Sequence, residues 1–490
     1  MFNMLFKKKQ QQPIKNLSFD HYISSYVNKD AALPVSSIVV KQQFNEIFKD
    51  SVDFSERDFQ LETGRSVYIC YIAGLINNDQ LEETVIKPLL MNAQNLSNVH
   101  DLGNVFTVTK YKTATSWKEA IDNILEGCIV LHIDQQEPII IYLPHKNERS
   151  PQDPTTEYQV YGAKLGFVES SRKNIGIVRQ FIKDPRLRCK EYQLGQVSGT
   201  HVSVMYFDGY CQPEVIQHLD SLLSSYNNEH LLGTGQLTKY ISKHPYSLFP
   251  QTQKTERPDL VAFSLVQGKA IIFMDNSTFA IISPVTLMDM IETSEDRAFF
   301  VPWNLFFIRI LRLISLFIGT ILPALYVSLV AFQPELIPTN LTISVAQARI
   351  NIPLPATAEA YLMMFALDVL VEASIRLPSF VGQTIGIVGG LVIGQAAVEA
   401  GLVSNTMVIV IAFTAIATFT LPSWEFVNSW RITRYLLVTA AAFLGLYGLV
   451  LAVGFLLVHL CKLDSMNKPF MYPFAPFDAK GIAHFFMPKR

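Results

Sequence analysis

The sequence has almost no charge imbalance: 40 Lys and Arg stand against 42 Asp and Glu, a net charge of −2 over 490 residues. Nucleic-acid binding calls for a basic excess and intrinsic disorder for low hydrophobicity. With 49% hydrophobic residues the chain fits neither class, and no nucleic-acid partner is expected. Cysteine is scarce. Cys70, Cys128, Cys189, Cys211 and Cys461 form an odd, scattered set without CxxC spacing, which speaks against a disulfide framework or a zinc site. Enzyme motifs are missing too: there is no P-loop, no GxGxxG after a strand and no GxSxG elbow, and the ten histidines show neither HxxxH nor HExxH spacing. Neither an enzyme activity nor a cofactor is expected. A secretory signal is not expected either, because the apolar Met1–Phe6 is short and precedes the Lys7-Lys8-Lys9 run instead of following it.

What is present is unevenly spread. Only 12 charged residues lie between Val301 and Cys461, so a polar N-terminal part of about 300 residues precedes an apolar C-terminal part. Residues 1–29 read as a basic, glutamine-rich tail. Beyond it, the period-2 signal of strands alternates with helical periodicity, the pattern of an α+β (α/β-like) region. Two similar subdomains are expected at 30–145 and 196–295, joined by a linker and basic helix at 146–195. The repeat is visible in the residues. Val67-Tyr-Ile-Cys-Tyr-Ile-Ala-Gly74 has its counterpart in Val202-Ser-Val-Met-Tyr-Phe-Asp-Gly209. Two hairpins, Gly127 to Pro144 and Gly268 to Pro284, each open their turn on an aspartate (Asp134, Asp275) whose side chain can bond the backbone two residues on. An amphipathic helix precedes each, Trp117 to Glu126 and Pro258 to Gln267. The cluster Arg172, Lys173, Arg179, Lys183, Arg186, Arg188 and Lys190 has two readings. It is a solvated helix face, or a contact to a neighbouring subunit or lipid headgroups, with Arg172 and Arg179 as candidate contacts.

From 300 to 461 an all-α transmembrane domain of about four to five helices is expected, followed by a C-terminal tail at 462–490. Leu313 to Phe332 runs 20 residues without a charge, the length that crosses a bilayer as helix. Arg309 and Arg312 precede it, which places the N-terminal domain in the cytosol by the positive-inside rule. Pro323 leaves a carbonyl of this span in need of another donor. Further apolar stretches are Ala356 to Leu377, Phe380 to Gly401, Thr406 to Leu421 and Leu436 to Cys461. The first of these carries Glu359, Asp368, Glu372 and Arg376, the last three at i, i+4 and i+8 on one side of a helix and Glu359 on the other. Such groups facing lipid each cost about 2.5–3.5 kcal/mol. They therefore belong to an interfacial helix with internal ion pairs, or to a helix lining a water-filled path or a subunit contact, where Arg376 is a candidate. The next stretch holds Gly382, Gly386, Gly390 and Gly394, a four-residue ladder that lets another backbone approach closely, beside the polar Gln383, Gln395 and Glu399.

Several motifs together identify a family. Thr255-Glu-Arg-Pro-Asp259, Leu322-Pro-Ala-Leu-Tyr326, Pro334-Glu-Leu-Ile-Pro338 and Ile375-Arg-Leu-Pro378 are among them. Gly394-Gln-Ala-Ala-Val-Glu-Ala-Gly-Leu-Val403 and Ala417-Thr-Phe-Thr-Leu-Pro-Ser423 complete the set. With these the chain resembles the A subunits of bacterial spore germinant receptors, the GerA family, from about Asn16 to Phe477. Asp275-Asn-Ser-Thr departs from the family's usual Asp-Gly and proline at that turn. The resemblance implies a permease-like B subunit that binds the nutrient, a lipoprotein C subunit, and a place in the spore inner membrane among its lipids. It further implies a homo-oligomer, a pentamer, whose membrane helices surround a cation-conducting pore. On that premise Glu359, Asp368, Glu372 and Glu399, with Gln383 and Gln395, are the candidate ion pathway. Gly382, Gly386, Gly390, Gly394 and Pro323 are the candidate packing and gating positions. The competing reading is a non-conducting scaffold that assembles the B and C subunits.

Overall fold

A computed structural model describes residues 18–91, 106, 110–143, 154, 157, 164–298 and 300–487; the side chains of 297, 298, 379–381, 383–385, 387, 388 and 391 lie outside the described set. Most of the polar loop read from Asn147 to Glu157 therefore lies outside the described residues. The chain divides into two compact units, Met1–Ser242 with Lys254–Pro284, and Lys243–Gln253 with Val285–Arg490.

The first unit is mixed α and β and holds two five-stranded sheets. One is built from β1 (Phe54–Gln60), β2 (Ser66–Ile72), β3 (Tyr111–Thr113), β4 (Cys128–Ile133) and β5 (Ile139–Tyr142), in the order β1-β2-β4-β5-β3. The other uses β6 (Leu187–Leu194), β7 (Thr200–Phe207), β8 (Gln253–Thr255), β9 (Ala270–Met274) and β10 (Ala280–Ser283), in the order β6-β7-β9-β10-β8. The strand order is the same, so the repeat in the residues is a repeat in topology. β4 is buried along its whole length, which explains its nearly unbroken apolar run. One face of the first sheet packs against α1 (Phe19–Ser24), α2 (Ser37–Ile47) and α3 (Trp117–Leu125).

The repeat goes deeper than the sequence suggests. Asp134 and Asp275 each reach a helix outside their own hairpin. Asp134 Oδ1 accepts from the Ser37 amide (3.1 Å) at the start of α2, and Asp275 Oδ1 accepts from the Ser171 amide (2.9 Å) at the start of α4 (Ser171–Phe181). Each carboxylate thus meets the first free N–H groups of a helix, where its charge opposes the helix dipole favourably. α4 is the counterpart of α2, and with β6 it belongs to the second sheet. That sheet's residues begin well before 196, and the basic helix is part of it. Likewise α1 packs Tyr22 and Ile23 into the first core, so folded structure begins inside the stretch read as a tail.

The basic cluster divides: Arg172, Lys173 and Lys183 are exposed, whereas Arg179, Arg186 and Arg188 are buried. Arg179 is 1% exposed and grips Asp53 with two nitrogens, Nε to Oδ2 (2.7 Å) and Nη2 to Oδ1 (3.0 Å). Arg188 donates to the carbonyls of Ile47 (3.0 Å) and Lys49 and to the Tyr22 hydroxyl, while Arg186 pairs with Asp184 (2.7 Å). Arg179 and Arg188 thereby stitch the second sheet to the first. Gly74 and Gly176 meet back to back at the same seam: a Cβ on Gly176 would lie 2.4 Å from the Gly74 carbonyl oxygen. Helical periodicity alone cannot tell this arrangement from a wet basic face, because the partners are more than a hundred residues away.

The second unit is helical: α8 (Pro302–Ala331), α9 (Thr339–Arg349), α10 (Ala356–Arg376), α11 (Ser379–Glu399), α12 (Asn405–Phe419) and α13 (Trp424–Lys462). α13 is two helices joined at Gly445, whose φ of 60° and ψ of −142° only glycine adopts readily. The second arm turns back on the first, since a Cβ on Gly448 would sit 2.2 Å from the Ala440 carbonyl and Phe249 touches both Trp430 and His459. The single span read from Leu436 to Cys461 is therefore corrected to parts of two antiparallel arms. Nothing polar marks the reversal; its one signal is a glycine among leucines. The Leu446 amide, orphaned by the break, donates to Gln333 Oε1 (3.1 Å). Contacts at constant spacing make α8 parallel to the first arm, whereas α10 runs antiparallel to it. α12 in turn runs antiparallel to α8. Arg309 pairs with Glu292 (2.9 Å) and Arg312 with Asp296, fastening the approach to α8. The C-terminal stretch read as a tail is structured: β11 (Asp464–Ser465) pairs with β12 (Lys468–Pro469), and α14 (Ala479–Phe486) sets Phe486 against Phe306.

Candidate functional site

The polar groups of the helical unit fall into three sets, two largely buried and one open. The first lies at Pro323. Proline has no N–H to give the Gly319 carbonyl four residues earlier. Arg434 supplies the missing donor, with Nε 2.7 Å from that oxygen and Nη2 2.7 Å from Thr418 Oγ1. A Cβ on Gly319 would come within 3.0 Å of Thr418 Oγ1, so the glycine makes room for the junction. Thus α8, α12 and α13 are tied at one point by a buried arginine that satisfies a backbone defect. Its need was legible in the sequence; its partner was not.

The second set involves two of the predicted carboxylates. Glu359 is 0% exposed. Its Oε1 pairs with Arg349 Nη2 (3.1 Å), and its Oε2 accepts from Ser404 N and Oγ, both at 2.9 Å. Ser404 caps α12 through the Met407 amide (3.2 Å), so Glu359 neutralises a helix N-terminus and an arginine together. Asp368 Oδ1 accepts from Arg431 Nε (3.0 Å) and Nη2 (2.9 Å), and Oδ2 from the Tyr435 hydroxyl (2.7 Å). One turn along, Tyr361 and Thr439 share a hydroxyl hydrogen bond. Arg431, Tyr435 and Thr439 stand at i, i+4 and i+8, a polar stripe on the first arm facing α10. That spacing was in the sequence, but its partner helix was not. A small cleft beside the stripe, lined by Asp368, Thr418, Trp424, Arg431 and Arg434 among others, has room for about one water.

The third set is open. Glu372 and Arg376 form an i,i+4 ion pair (2.7 Å) with side chains 56% and 77% exposed, and Gln395 donates to Glu399 (2.9 Å) on the exposed end of α11. The outer face of α10 carries Leu362, Phe365 and Val369, then Glu372 and Arg376, so it changes from apolar to charged along its length. The side chain of Gln383 lies outside the described set. Of the candidate subunit contacts, Arg172 and Arg376 are exposed; Arg179, buried against Asp53, is corrected to an internal tie.

The glycine ladder divides in the same way. A Cβ on Gly382 would lie 2.5 Å from the Ser374 carbonyl, one on Gly389 2.7 Å from Leu370 Cδ2, and one on Gly386 3.4 Å from Ser374 Oγ, all on α10 of the same chain. Gly394 faces Val408 at 3.7 Å, whereas nothing lies within 4 Å of Gly390. The outer surfaces of the unit are apolar: Phe307, Ile314 and Phe317 on α8; Ile409, Phe413 and Ile416 on α12; Tyr447, Val450 and Phe455 on the return arm of α13. Two segments, Pro302–Ala331 and Trp424–Lys462, are by length and composition apolar enough to cross a membrane, and the second of them reverses at Gly445. Among the described residues no group of His, Cys, Asp and Glu could hold a metal ion.

The family described as Bacillus/Clostridium GerA spore germination protein matches residues 42–489. "Spore germination protein KA" of Bacillus subtilis (strain 168) is 35% identical over 421 residues, 84% of this chain and 77% of that protein. "Spore germination protein GerLA" of Bacillus cereus is 38% identical over 413 residues, 83% of this chain and 84% of that one. Among solved structures, the N-terminal domain of the A subunit of the Bacillus megaterium spore germinant receptor GerK3 is similar at 22% identity with a TM-score of 0.41, covering 52% of this chain and 96% of that chain.

Proposed function

Because the chain belongs to the GerA family of spore germination proteins, as an A-type subunit, we propose that its helical unit assembles with further copies, as a pentamer, into a nutrient-gated cation channel of the spore inner membrane. The sheet unit lies in the cytosol, and a permease-like B subunit and a lipoprotein C subunit complete the receptor. The observation that carries this reading is the sorting of the carboxylates. Glu359 and Asp368 spend their charge inside the chain, on Arg349, Ser404, Arg431 and Tyr435. Glu372 and Glu399, with Gln395, stand on open faces of otherwise apolar helices. Repeated around a symmetric assembly, such groups form rings of carboxylate that concentrate cations and repel anions.

The membrane placement is supported by the apolar stripes on α8, α12 and α13, which water would not favour and hydrocarbon would. The polar groups of the same helices, Thr320, Ser328, Thr414, Thr433 and Arg434 among them, are turned inward and buried. This is the distribution a bilayer demands.

The test joins two measurements. Neutral substitutions Glu372→Gln and Glu399→Gln together should slow nutrient-triggered potassium release from spores severalfold and reduce cation selectivity in single-channel records of the purified oligomer. A purified oligomer that never conducts, with release unchanged in the double variant, would instead support the scaffold reading.

A further inference from the structure

The segment 243–253 lies within the sequence of the sheet unit, between α6 (Thr234–Ile241, following α5, Pro213–Ser224, and preceding α7, Pro258–Val266) and β8, yet it groups with the helical unit. It is held there firmly. Phe249, 1% exposed, packs its ring against Trp430 (5.1 Å), Phe426 (6.5 Å) and His459 (6.2 Å). Ser429 Oγ donates to the Leu248 carbonyl (2.5 Å), and Ser247 Oγ pairs with His459 Nε2 (3.2 Å). Gln251 closes the base, donating to the His244 carbonyl (2.7 Å) and accepting from the His244 amide (3.0 Å). The anchors all lie where the first arm of α13 begins and the return arm ends.

From this rigid base the tip projects outward: Tyr246 is 90% exposed and Leu248 42%. Other apolar side chains protrude from the same helical unit near the start of α8 and ahead of α14, Trp303 at 71% and Phe477 at 77%. Cations accompany them: Lys462 and Lys480 are exposed, and Lys243, paired with Asp464, keeps more than half of its side chain in the open. Below Trp303 the exposed stripe on α8 turns purely apolar, through Phe307, Leu311, Ile314 and Phe317. Aromatic rings and lysines grouped at the end of apolar helices are the chemistry of the lipid–water boundary. There a ring with one polar edge is stabilised and an ammonium meets headgroup phosphate.

We propose that residues 243–249 form a membrane foot: Tyr246 and Leu248 insert among the headgroups of the bilayer, at the end of the helical unit where Trp303 and Lys462 lie. The occupant of this surface is lipid, because the foot is anchored at the end of the apolar arms of α13 and has exposed lysines, Lys243 and Lys462, at that same end. The inference rests on the membrane placement given above and adds that a stretch of the sheet unit's own sequence is seated in the bilayer surface. Through Phe249 and Ser247, any shift of the foot bears directly on both arms of α13.

The test uses the full chain in phosphatidylglycerol–phosphatidylethanolamine vesicles, with Cys461→Ser to remove the one exposed thiol among five cysteines. Nitroxide labels are placed at Tyr246→Cys, at Phe413→Cys on an apolar helix face, and at Val197→Cys, exposed on the sheet unit. Depth is read from relaxation by oxygen against a water-soluble nickel complex. Phe413 should read deep, Val197 aqueous, and Tyr246 between them at headgroup level, with its depth shifting outward when anionic lipid is omitted. A Tyr246 label as aqueous as Val197 overturns the foot. So does one immobile and shielded from both reagents, which would mean a protein surface covers the tip. If Phe413 is aqueous as well, the membrane placement itself fails, and the two failures are told apart by that control.

Discussion

Two buried arginines, Arg179 in the sheet unit and Arg434 in the helical unit, are held by opposite means. In the sheet unit Arg179 is held by a carboxylate, Asp53, through two hydrogen bonds. In the helical unit Arg434 has no carboxylate within hydrogen-bond reach among the described residues and is held by a carbonyl and a hydroxyl. The sheet unit joins two copies of one motif, so charge of opposite sign can be placed on either side of the seam. The helical unit joins three apolar segments, and the polar group available there is a carbonyl that a proline has left without its donor. Burial of an ionised side chain is tolerated in both, but what it stabilises differs: the pairing of two domain halves in one, the repair of a broken helix in the other.

The comparison can be broken most sharply at Asp53. Asp53→Ala leaves the Arg179 charge buried and uncompensated and should cost about 3–5 kcal/mol, whereas Asp53→Leu with Arg179→Met should recover most of it. Denaturant melts of the purified protein followed by tyrosine and tryptophan fluorescence would show this. Equal loss in the single and double variants would mean that packing, not charge, holds the seam. At Arg434 the expected effect is smaller. Arg434→Met strands the Gly319 carbonyl, about 1–3 kcal/mol, while the Thr418 hydroxyl keeps its bond to the Thr414 carbonyl (2.7 Å). Combining it with Pro323→Ala returns an N–H to Gly319 and should be less harmful than the two losses added, with a coupling of about 0.5–3 kcal/mol in thermal inactivation of the detergent-solubilised protein. Strict additivity would sink the account of the proline defect.

The glycine ladder gives a third contrast, now within the helical unit. Gly382→Ala drives a Cβ into the Ser374 carbonyl and should cost about 1–3 kcal/mol. Gly390→Ala meets open space and should be neutral or stabilise α11 by up to about 1 kcal/mol. If Gly390→Ala instead proves the more damaging, its open face is covered by another copy in the assembly. The smallest expected effect is electrostatic. Glu119 is held down to about 2 by hydrogen bonds from Lys112 and then Thr115. Its stabilisation is therefore present above its unfolded value of 4.5 and lost as pH falls through about 2. Glu119→Gln should flatten the acid limb of stability against pH in that window by no more than about 1 kcal/mol.

Much of the sheet unit was legible because it is written twice. A strand ending at Gly74 and another at Gly209, or hairpins opening at Asp134 and Asp275, check one another. The helical unit has no second copy, and there the apolar run around Gly445 concealed a reversal that only backbone geometry exposes. The polar groups followed a similar rule. Spacing along one helix made the Glu372–Arg376 ion pair legible as one of its readings. It was silent about Arg349, Ser404, Arg431 and Tyr435, which come from other helices and take up Glu359 and Asp368.

By itself the sequence determined what depends on neighbours along the chain: the polar and apolar parts, the repeated strands, the i,i+4 pairs, the glycine spacing and the motifs of the family. Only the tertiary structure decided which charges are spent and which stay available, because an ion pair is made by proximity in space. Arg179 reached Asp53 across more than a hundred residues, and segment 243–253 left the unit that encodes it. Neither event leaves a periodic trace in the residues, since periodicity records the face a side chain occupies and not what will come to meet it.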